Sequence, residues 1–247
     1  MNPAQKDRYA RHIRLSQIGE KGQQAILDAS ALIVGVGGLG SPAAMYLAAA
    51  GIGKLILSDY DVVETSNLQR QIIHNNASVG ENKVDSGRQT VQALNPDCKV
   101  EVIGYQLEGE ELKQVIESVD IVLDCTDNYP TRFEINRYCV ETDTRLVIGA
   151  AIRLEGQIMN YQPDANSSCY QCLYSHAYGA EESCEFEGVL GPVAGLIGTL
   201  QAVQTLLILA GQGEGLVNRL LLFDAFAMQW QSVTLPKNPN CPVCSKN

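Results

Sequence analysis

A glycine-rich run at residues 35–40 (GVGGLG) fits the pattern G-x-G-x-x-G. It follows an apolar run typical of a buried strand and precedes small residues typical of a helix. Glycines in this setting allow a tight turn and let a phosphate approach the amides at the helix N-terminus. Asp59 ends the next predicted strand about 20 residues on, where a carboxylate can bind a ribose hydroxyl. The residues predicted to form a nucleotide site are Gly35, Gly37, Gly38, Gly40 and Asp59.

Positive and hydrogen-bonding side chains follow that strand. Asn67 and Arg70 lie in the run SNLQRQ at 66–71, and Lys83 begins the next predicted helix. The glycine loop and the helix dipole already serve the pyrophosphate of a dinucleotide. The additional groups therefore suit a triphosphate or a departing pyrophosphate better. An NAD(P)-dependent oxidoreductase with a Rossmann fold stays open as an alternative.

The run DCTDN at 124–128 closes another apolar stretch. Open α/β sheets place their sites at the carboxyl ends of parallel strands. A carboxylate at such an end, either Asp124 or Asp127, could hold Mg²⁺ against phosphate oxygens. Asp127 and its neighbour Asn128 are included among the residues expected at the nucleotide site.

Eight cysteines divide into two C-x-x-C pairs and four single residues. Because four thiolates can bind zinc tetrahedrally, the pairs predict a metal site. Four protein ligands leave no open position, so the zinc would be structural. The pairs are too far apart for a zinc ribbon, so the fold must return the C-terminus to the middle of the chain. The predicted ligands are Cys169, Cys172, Cys241 and Cys244.

Composition excludes several classes of protein. The formal net charge is −10, whereas a nucleic-acid binder needs a basic stripe. The N-terminus is polar and does not resemble a secretory signal. One apolar run, at 189–211, approaches the length of a membrane span, but it contains two glutamines and is predicted to be a buried core helix. We expect a soluble, cytoplasmic protein without a nucleic-acid or membrane partner.

Strands and helices alternate through the first part of the chain. Strands are predicted at 31–36, 54–59, 99–105, 120–124 and 145–150, and helices at 38–50, 83–94, 109–118 and 132–142. This order predicts an α/β fold with a doubly wound, mostly parallel, Rossmann-like sheet. Later strands at 156–161, 219–224 and 231–235 predict an antiparallel C-terminal part, with a long apolar helix at 192–211.

No linker divides the chain, so we predict a single domain over residues 1–247. It would consist of a helical arm (1–28), a nucleotide-binding half (29–150) and a half that carries the cysteine pairs (151–247).

In this order, the glycine loop, Asp59, SNLQRQ, DCTDN and both C-x-x-C pairs resemble the HesA/MoeB/ThiF family. These are sulfur-carrier adenylyltransferases of the ubiquitin-activating-enzyme superfamily, and the resemblance covers essentially the whole chain. It implies that the protein binds MgATP and adenylates the C-terminal carboxylate of a small ubiquitin-like sulfur carrier ending in Gly-Gly. It also implies a homodimer with one structural zinc per subunit, and a carrier-binding half at 151–247.

The resemblance also assigns roles to residues. Gly38 and Asp59 would hold the nucleotide and Asp127 the metal. Arg11 would reach the triphosphate of the neighbouring subunit. The side chains implied to hold the phosphates are Asn67, Arg70 and Lys83.

The implied reaction requires the two substrates to be correctly positioned and positive charge to lie near the phosphates. The carrier's carboxylate attacks the α-phosphorus and pyrophosphate leaves, so cations on developing negative charge supply the catalysis. A carboxylate is already ionised at neutral pH and needs no general base. Because an acyl-adenylate is prone to hydrolysis, we expect a cover that excludes water. Residues 173–187 are the candidate, and an ordinary surface loop is the alternative.

Cys184 lies within that segment, in the sequence ESCE. The resemblance places a sulfur-linking cysteine of ThiF here, which could attack the acyl-adenylate or exchange with an acyl persulfide. The flanking glutamates would make the thiol less reactive, so an inert loop cysteine stays open as the alternative.

The identity of the carrier also stays open. Residues 149–157 resemble the molybdopterin-pathway member, and residues 188–193 resemble the thiazole-pathway member. Since residues 1–247 include no rhodanese, we expect a separate sulfur donor, either a cysteine desulfurase or a rhodanese. A non-catalytic carrier-binding scaffold is a further alternative.

Overall fold

The computed structural model describes residues 1–174, 187–213 and 215–245. The N-terminal arm is helical, as predicted. It contains three helices before the first strand: α1 (Pro3–Arg8), α2 (Ala10–Ile13) and α3 (Gly19–Asp28).

Eight strands form one sheet in the order β3-β2-β1-β4-β5-β6-β7-β8. They are β1 (Ser30–Val34), β2 (Lys54–Ser58), β3 (Lys99–Ile103), β4 (Ile121–Asp124), β5 (Arg145–Ile152), β6 (Glu155–Tyr161), β7 (Arg219–Asp224) and β8 (Gln229–Thr234). The first five pair in parallel, and β5 to β8 pair antiparallel. The predicted parallel sheet with an antiparallel C-terminal part is confirmed.

Helices cover the sheet on both faces, which explains why its central strands are nearly continuous apolar runs. The helices that follow the arm are α4 (Gly40–Ala50), α5 (Lys83–Leu94), α6 (Gly109–Glu117), α7 (Tyr129–Glu141), α8 (Tyr170–Leu173) and α9 (Gly191–Leu209). One core cluster joins α4, α5 and α9 to the sheet, and a second joins α6 and α7 to it.

Several predicted boundaries are displaced for local reasons. The first strand ends at Val34 rather than at residue 36, because Gly35 has a φ of +91° and leaves the strand. The glycine loop consequently delays the start of α4 to Gly40. Helix α7 begins at Tyr129, earlier than predicted, because the side chain of Asn128 accepts a hydrogen bond from Thr131 N and caps it. The third strand ends at Ile103.

Helix α9 is the one helix in the described part of the chain that is long and apolar enough to cross a membrane, judged by length and composition. It packs against α4, β5 and β6. Its Gln201 is completely buried, and the side-chain amide donates to the carbonyls of Asp124 (2.8 Å) and Val147 (3.2 Å). Because protein groups bind this amide, α9 is a core helix, as predicted.

Candidate active site

The glycine loop lies where the sheet reverses its strand order, between β1 and its neighbours β2 and β4. Open α/β sheets bind their ligands at this point. A Cβ on Gly35 would lie 2.8 Å from the carbonyl oxygen of Cys125, and one on Gly40 would lie 1.9 Å from the oxygen of Gly35. The loop therefore requires glycine at both positions, as the pattern predicts.

Asp59 holds the loop from the side of β2. One carboxylate oxygen accepts the amide of Val36 at 2.8 Å, and the other accepts the amide of Asp61 at 2.9 Å. Burial raises the pKa of Asp59, and the charge of Lys83 opposes that rise. The predicted ribose ligand thus lies directly beside the glycine loop.

Two cations converge on the same loop. Lys83 begins α5, is buried, and donates from Nζ to Asp61 Oδ2 at 2.6 Å. The half-buried side chain of Arg70 lies against Gly38, where an added Cβ would be 3.5 Å from its Cγ, and its guanidinium donates to the carbonyl of Ser66 at 3.2 Å. The structure therefore places Lys83 near Asp59 and Arg70 against the glycine loop, as the sequence predicts.

Asn67 is buried in the connection between β2 and α5. Its side-chain oxygen accepts the amide of Glu64 at 3.1 Å and stabilises the 3₁₀ turn Thr65–Asn67. Asn128 likewise serves as the cap of α7, with its oxygen 3.0 Å from Thr131 N. Both predicted nucleotide ligands thus have local backbone partners.

Asp127 is exposed on the loop after β4. Burial raises the pKa of Tyr60, and the charges of Asp61 and Asp127 raise it further. Asp127 therefore shares one region with the carboxylates after β2, and these oxygen donors are of the kind that Mg²⁺ binds.

An open cavity of about 640 Å³ extends from the loop after β4 toward the antiparallel strands. Asp127 and Trp230 of β8 both line it. Tyr129, Tyr170 and Tyr174 also line it, and their rings contact one another. Leu39 of the glycine loop also lines the cavity, so the cavity adjoins the candidate nucleotide site.

The two C-x-x-C pairs converge, as predicted. All four sulfur atoms lie within 4.8 Å of one another. Cys169 Sγ is 3.7 Å from Cys241 Sγ, and Cys172 Sγ is 3.4 Å from Cys244 Sγ. Tetrahedral zinc with Zn–S bonds of about 2.3 Å needs sulfur atoms roughly 3.8 Å apart. The donor set and its spacing fit a closed zinc site.

Comparison with known proteins agrees with this geometry. The sequence model of the ThiF family matches residues 9–243. The chain belongs to the ThiF family. It is 43% identical over 99% of its length to the sulfur carrier protein ThiS adenylyltransferase of Escherichia coli K12, covering 97% of that protein. It is 41% identical over its whole length to the SAMP-activating enzyme E1 of Haloferax volcanii, covering 91% of that relative.

A third relative is the molybdopterin-synthase adenylyltransferase of E. coli K12, at 42% identity over 97% of this chain and 96% of the relative. Among solved structures, E. coli MccB with MccA-N7isoASN has a TM-score of 0.85 and 24% identity, over 97% of this chain and 74% of that one. At this identity the likeness shows the fold alone.

A further residue of this ThiF-family protein lies at the glycine loop. His74 is buried, with Nε2 3.1 Å from the carbonyl oxygen of Val36 and Nδ1 2.9 Å from Ser86 Oγ. Because a carbonyl only accepts, Nε2 carries the proton. Burial lowers the pKa of His74 and favours its neutral form. His74 thus holds the glycine loop opposite Asp59, and no motif in the sequence indicated it.

Buried polar groups also hold the DCTDN loop of this family member. Asp124 Oδ1 accepts the hydroxyl of Thr126 at 2.6 Å and its amide at 3.0 Å. Arg132 donates to the carbonyls of Thr126 and Gly149. Burial raises the pKa of Asp124. These contacts fix the backbone that presents Asp127, and no motif in the sequence indicated Arg132.

Arg11 is remote from the glycine loop of its own chain. It is exposed on α2, whose neighbours Tyr9 and His12 are tied to the C-terminal end of α4. The glycine loop lies at the other end of that helix, which is about 16 Å long at 1.5 Å per residue. One subunit therefore does not bring Arg11 together with Lys83.

Cys184 and most of the candidate cover at 173–187 lie outside the described residues. The remaining single cysteines are buried. Burial raises the pKa of Cys98 to about 11, and it also raises the pKa values of Cys125 and Cys139. These thiols are suited to packing rather than to nucleophilic attack.

Proposed function

We propose that this protein is an ATP-dependent adenylyltransferase that activates the C-terminal glycine carboxylate of a small ubiquitin-like sulfur carrier. The observation that carries the proposal is the convergence of Asp59, Arg70 and Lys83 on the glycine loop, beside a cavity that can admit an extended chain. The names of the three relatives point to the same class of substrate: ThiS, molybdopterin synthase and SAMP.

The reaction forms a bond between the carrier's carboxylate oxygen and the α-phosphorus and breaks the bond to pyrophosphate. The carboxylate is ionised at neutral pH, so no proton has to be removed. Asp59 binds the ribose, and the glycine loop binds phosphate oxygens through its amides. Arg70 and Lys83 neutralise the charge that develops on the departing pyrophosphate.

Asp127 would hold the magnesium ion, and Asn67 would add a contact to the phosphates. For Asp127, its place in one region with Asp59 and Asp61 supports the assignment, because carboxylate oxygens are ligands that Mg²⁺ prefers. The ion would supply positive charge against the negative charge of the phosphates. Asn128 would act indirectly, by capping the helix that follows Asp127.

Arg11 would act in the neighbouring subunit of a homodimer. Two observations support this: the position of the arm at the far end of α4, and the exposed apolar side chains on helices that contact each other. Tyr46 of α4 is 56% exposed and Val203 of α9 is 42% exposed. A second copy that covered these side chains could also deliver its Arg11 to the glycine loop.

The carrier's folded body would contact the hairpin that joins β7 and β8. Phe226 is 85% exposed and Met228 is 74% exposed at its tip, and Trp230 lines the cavity. Exposed apolar side chains grouped in this way are typical of protein-binding surfaces. The carrier's C-terminal tail would then follow the cavity from Trp230 toward Asp127.

The cysteine cluster would hold one structural zinc ion, with no part in the chemical step. Cys184 would be the residue that links the carrier covalently, if this chain uses such a step. A separate cysteine desulfurase or rhodanese would supply the sulfur, in either thiazole or molybdopterin biosynthesis.

The test is ATP–pyrophosphate exchange, measured with ThiS-type and MoaD-type carriers that end in Gly-Gly. The proposed function requires exchange that depends on one of these carriers and stops when its last glycine is deleted. An oxidoreductase would show no exchange, and a scaffold would bind the carrier without turnover. Mass measurement of the carrier's C-terminus after incubation with ATP would identify the adenylate.

A further inference from the structure

We propose that Tyr9 is a positioning residue that fixes Arg11 for the neighbouring subunit, with Gly51 as the surface against which it packs. The inference rests on the proposed function, in which Arg11 acts on the partner's triphosphate. The N-terminal arm is polar, yet its fixed backbone would present one arginine in a defined position.

Tyr9 is only 2% exposed, although it lies in a polar segment. Its ring fills the space beside Gly51, where an added Cβ would be 2.5 Å from the ring carbon Cζ. Gly51 has a φ of +93° and ends α4. The Tyr9 hydroxyl oxygen accepts from Asn95 Nδ2 at 3.0 Å, and the same nitrogen donates to the carbonyl of Ala48 at 2.8 Å. Tyr9 is therefore locked to the end of α4.

A second chain of hydrogen bonds reaches the same helix end from the other side of Arg11. His12 Nδ1 lies 3.0 Å from Gln23 Oε1, and Gln23 Nε2 donates to the carbonyl of Ala50 at 2.9 Å. Gln23 is completely buried. The last carbonyls of a helix have no partner within the helix, so they are available to hold another segment. The backbone of α2 is thus held on both sides of Arg11.

Arg11 itself is exposed, and none of the described residues accepts a hydrogen bond or an ion pair from it. The fold therefore fixes the backbone that carries this cation and leaves its guanidinium available. Preorganisation of this kind reduces the entropy lost when the side chain binds. A misplacement of about 1 Å can reduce catalysis by about a hundredfold. The packing of Tyr9 against Gly51 therefore determines whether the Arg11 guanidinium is correctly placed to bind the partner's phosphates.

The test is Gly51→Ala, whose methyl group must displace the Tyr9 ring. We expect pyrophosphate exchange to fall by about 10- to 100-fold, the range for a misplaced catalytic group. Gly109→Ala is the matched control. Gly109 also has a positive φ, +62°, but nothing lies within 4 Å of an added Cβ. Exchange by the control should stay close to that of the wild type, and an equal loss in both variants would overturn the proposal.

A double-mutant cycle with Arg11→Ala separates positioning from general damage to the fold. If Tyr9 acts through Arg11, adding Gly51→Ala to Arg11→Ala should reduce exchange by less than about twofold further. His12→Ala should behave in the same way and leaves the packing of Tyr9 intact. Losses that multiply in the double variants would overturn the proposal.

Failure of the underlying function is distinguishable. If the wild type shows no carrier-dependent exchange, the proposed function fails and this inference fails with it. If the wild type is active and Arg11→Ala is equally active, adenylation stands and only the role of Tyr9 and Arg11 is overturned.

Discussion

Lys83 Nζ lies 2.6 Å from Asp61 Oδ2, with the lysine side chain 8% exposed and the aspartate side chain 52% exposed. The buried end of this ion pair is the cation, and the carboxylate lies at the solvent side. Water can solvate the carboxylate when the pair separates, so the ammonium group can transfer to an incoming triphosphate at low cost. We therefore expect Asp61 to be the counter-ion of Lys83 before ATP binds.

The first prediction is that Asp61→Asn makes the protein more dependent on ATP for its stability. Removing this carboxylate deprives the buried charge of Lys83 of its 2.6 Å partner, and bound ATP would take its place. The unfolding temperature without ATP should fall, and the rise produced by ATP should exceed that of the wild type. Asp85→Asn is the control, because it breaks an exposed pair with Arg88. An ATP-induced rise no larger than that of the wild type would refute the counter-ion role.

The second prediction concerns Arg70, which is proposed to act on charge in the transition state. Arg70→Ala should reduce pyrophosphate exchange by about 10²-fold or more, the usual effect of losing one electrostatic stabiliser. The affinity for ATP should fall less. Arg88→Ala removes a cation from the outer side of α5 and should leave the exchange rate unchanged. Near wild-type exchange in Arg70→Ala would exclude this assignment.

The third prediction is that His74→Phe, which keeps the ring volume but loses two hydrogen bonds, raises KM for ATP by about tenfold. Each lost bond contributes about 1 kcal/mol, and the bond to Val36 fixes the loop that is proposed to bind the phosphates. Thr90→Val is the control, since it removes a 2.7 Å bond from α5 to the carbonyl of Ile73 without reaching the loop. Equal changes of KM in both variants would contradict a role in ATP binding.

The burial of His74 also makes the stability of the fold depend on pH. Because the pKa of His74 is lowered from 6.5 in the folded state, the unfolded state binds more protons as the pH falls below that value. The contribution to stability is present above pH 6.5 and declines as the pH falls through and below it. The free energy of unfolding should therefore decrease less between pH 7.5 and 5.5 in His74→Phe than in the wild type. Identical slopes would show that His74 is not buried in its neutral form.

The glycine loop, Asp59 and Lys83 could be predicted because their signals are local. Each depends on a strand, a turn and a helix that follow one another in the sequence. Other contacts join residues that are far apart in the sequence. His74 bonds to the loop residue 38 positions away, Gln201 bonds to Asp124 77 positions away, and Tyr9 bonds to Asn95 86 positions away. No periodicity encodes such pairings, since the sheet order determines them. The cysteine cluster combines local and long-range information. Each C-x-x-C pair can be recognised in the sequence, whereas only the fold brings the two pairs together.

The fourth prediction is that freshly purified protein contains one zinc ion per chain. Cys241→Ser should release the metal and lower the unfolding temperature, because metal binding contributes to folding. Exchange activity should fall only as far as folding does. Cys98→Ala changes a buried cysteine outside the cluster and should retain the metal. Native mass spectrometry that finds no zinc in unchelated protein would rule out the site.

The fifth prediction is that the active site contains residues of two subunits. Arg11→Ala and Arg70→Ala chains should each be nearly inactive alone, but co-folding them should restore activity. In a mixed dimer, the site that contains the intact Arg70 also receives the intact Arg11 of the partner. The other site carries both substitutions. Up to half of the sites in each heterodimer would then work. If mass spectrometry confirms heterodimers and no activity returns, Arg11 acts within its own chain or has no role in the reaction.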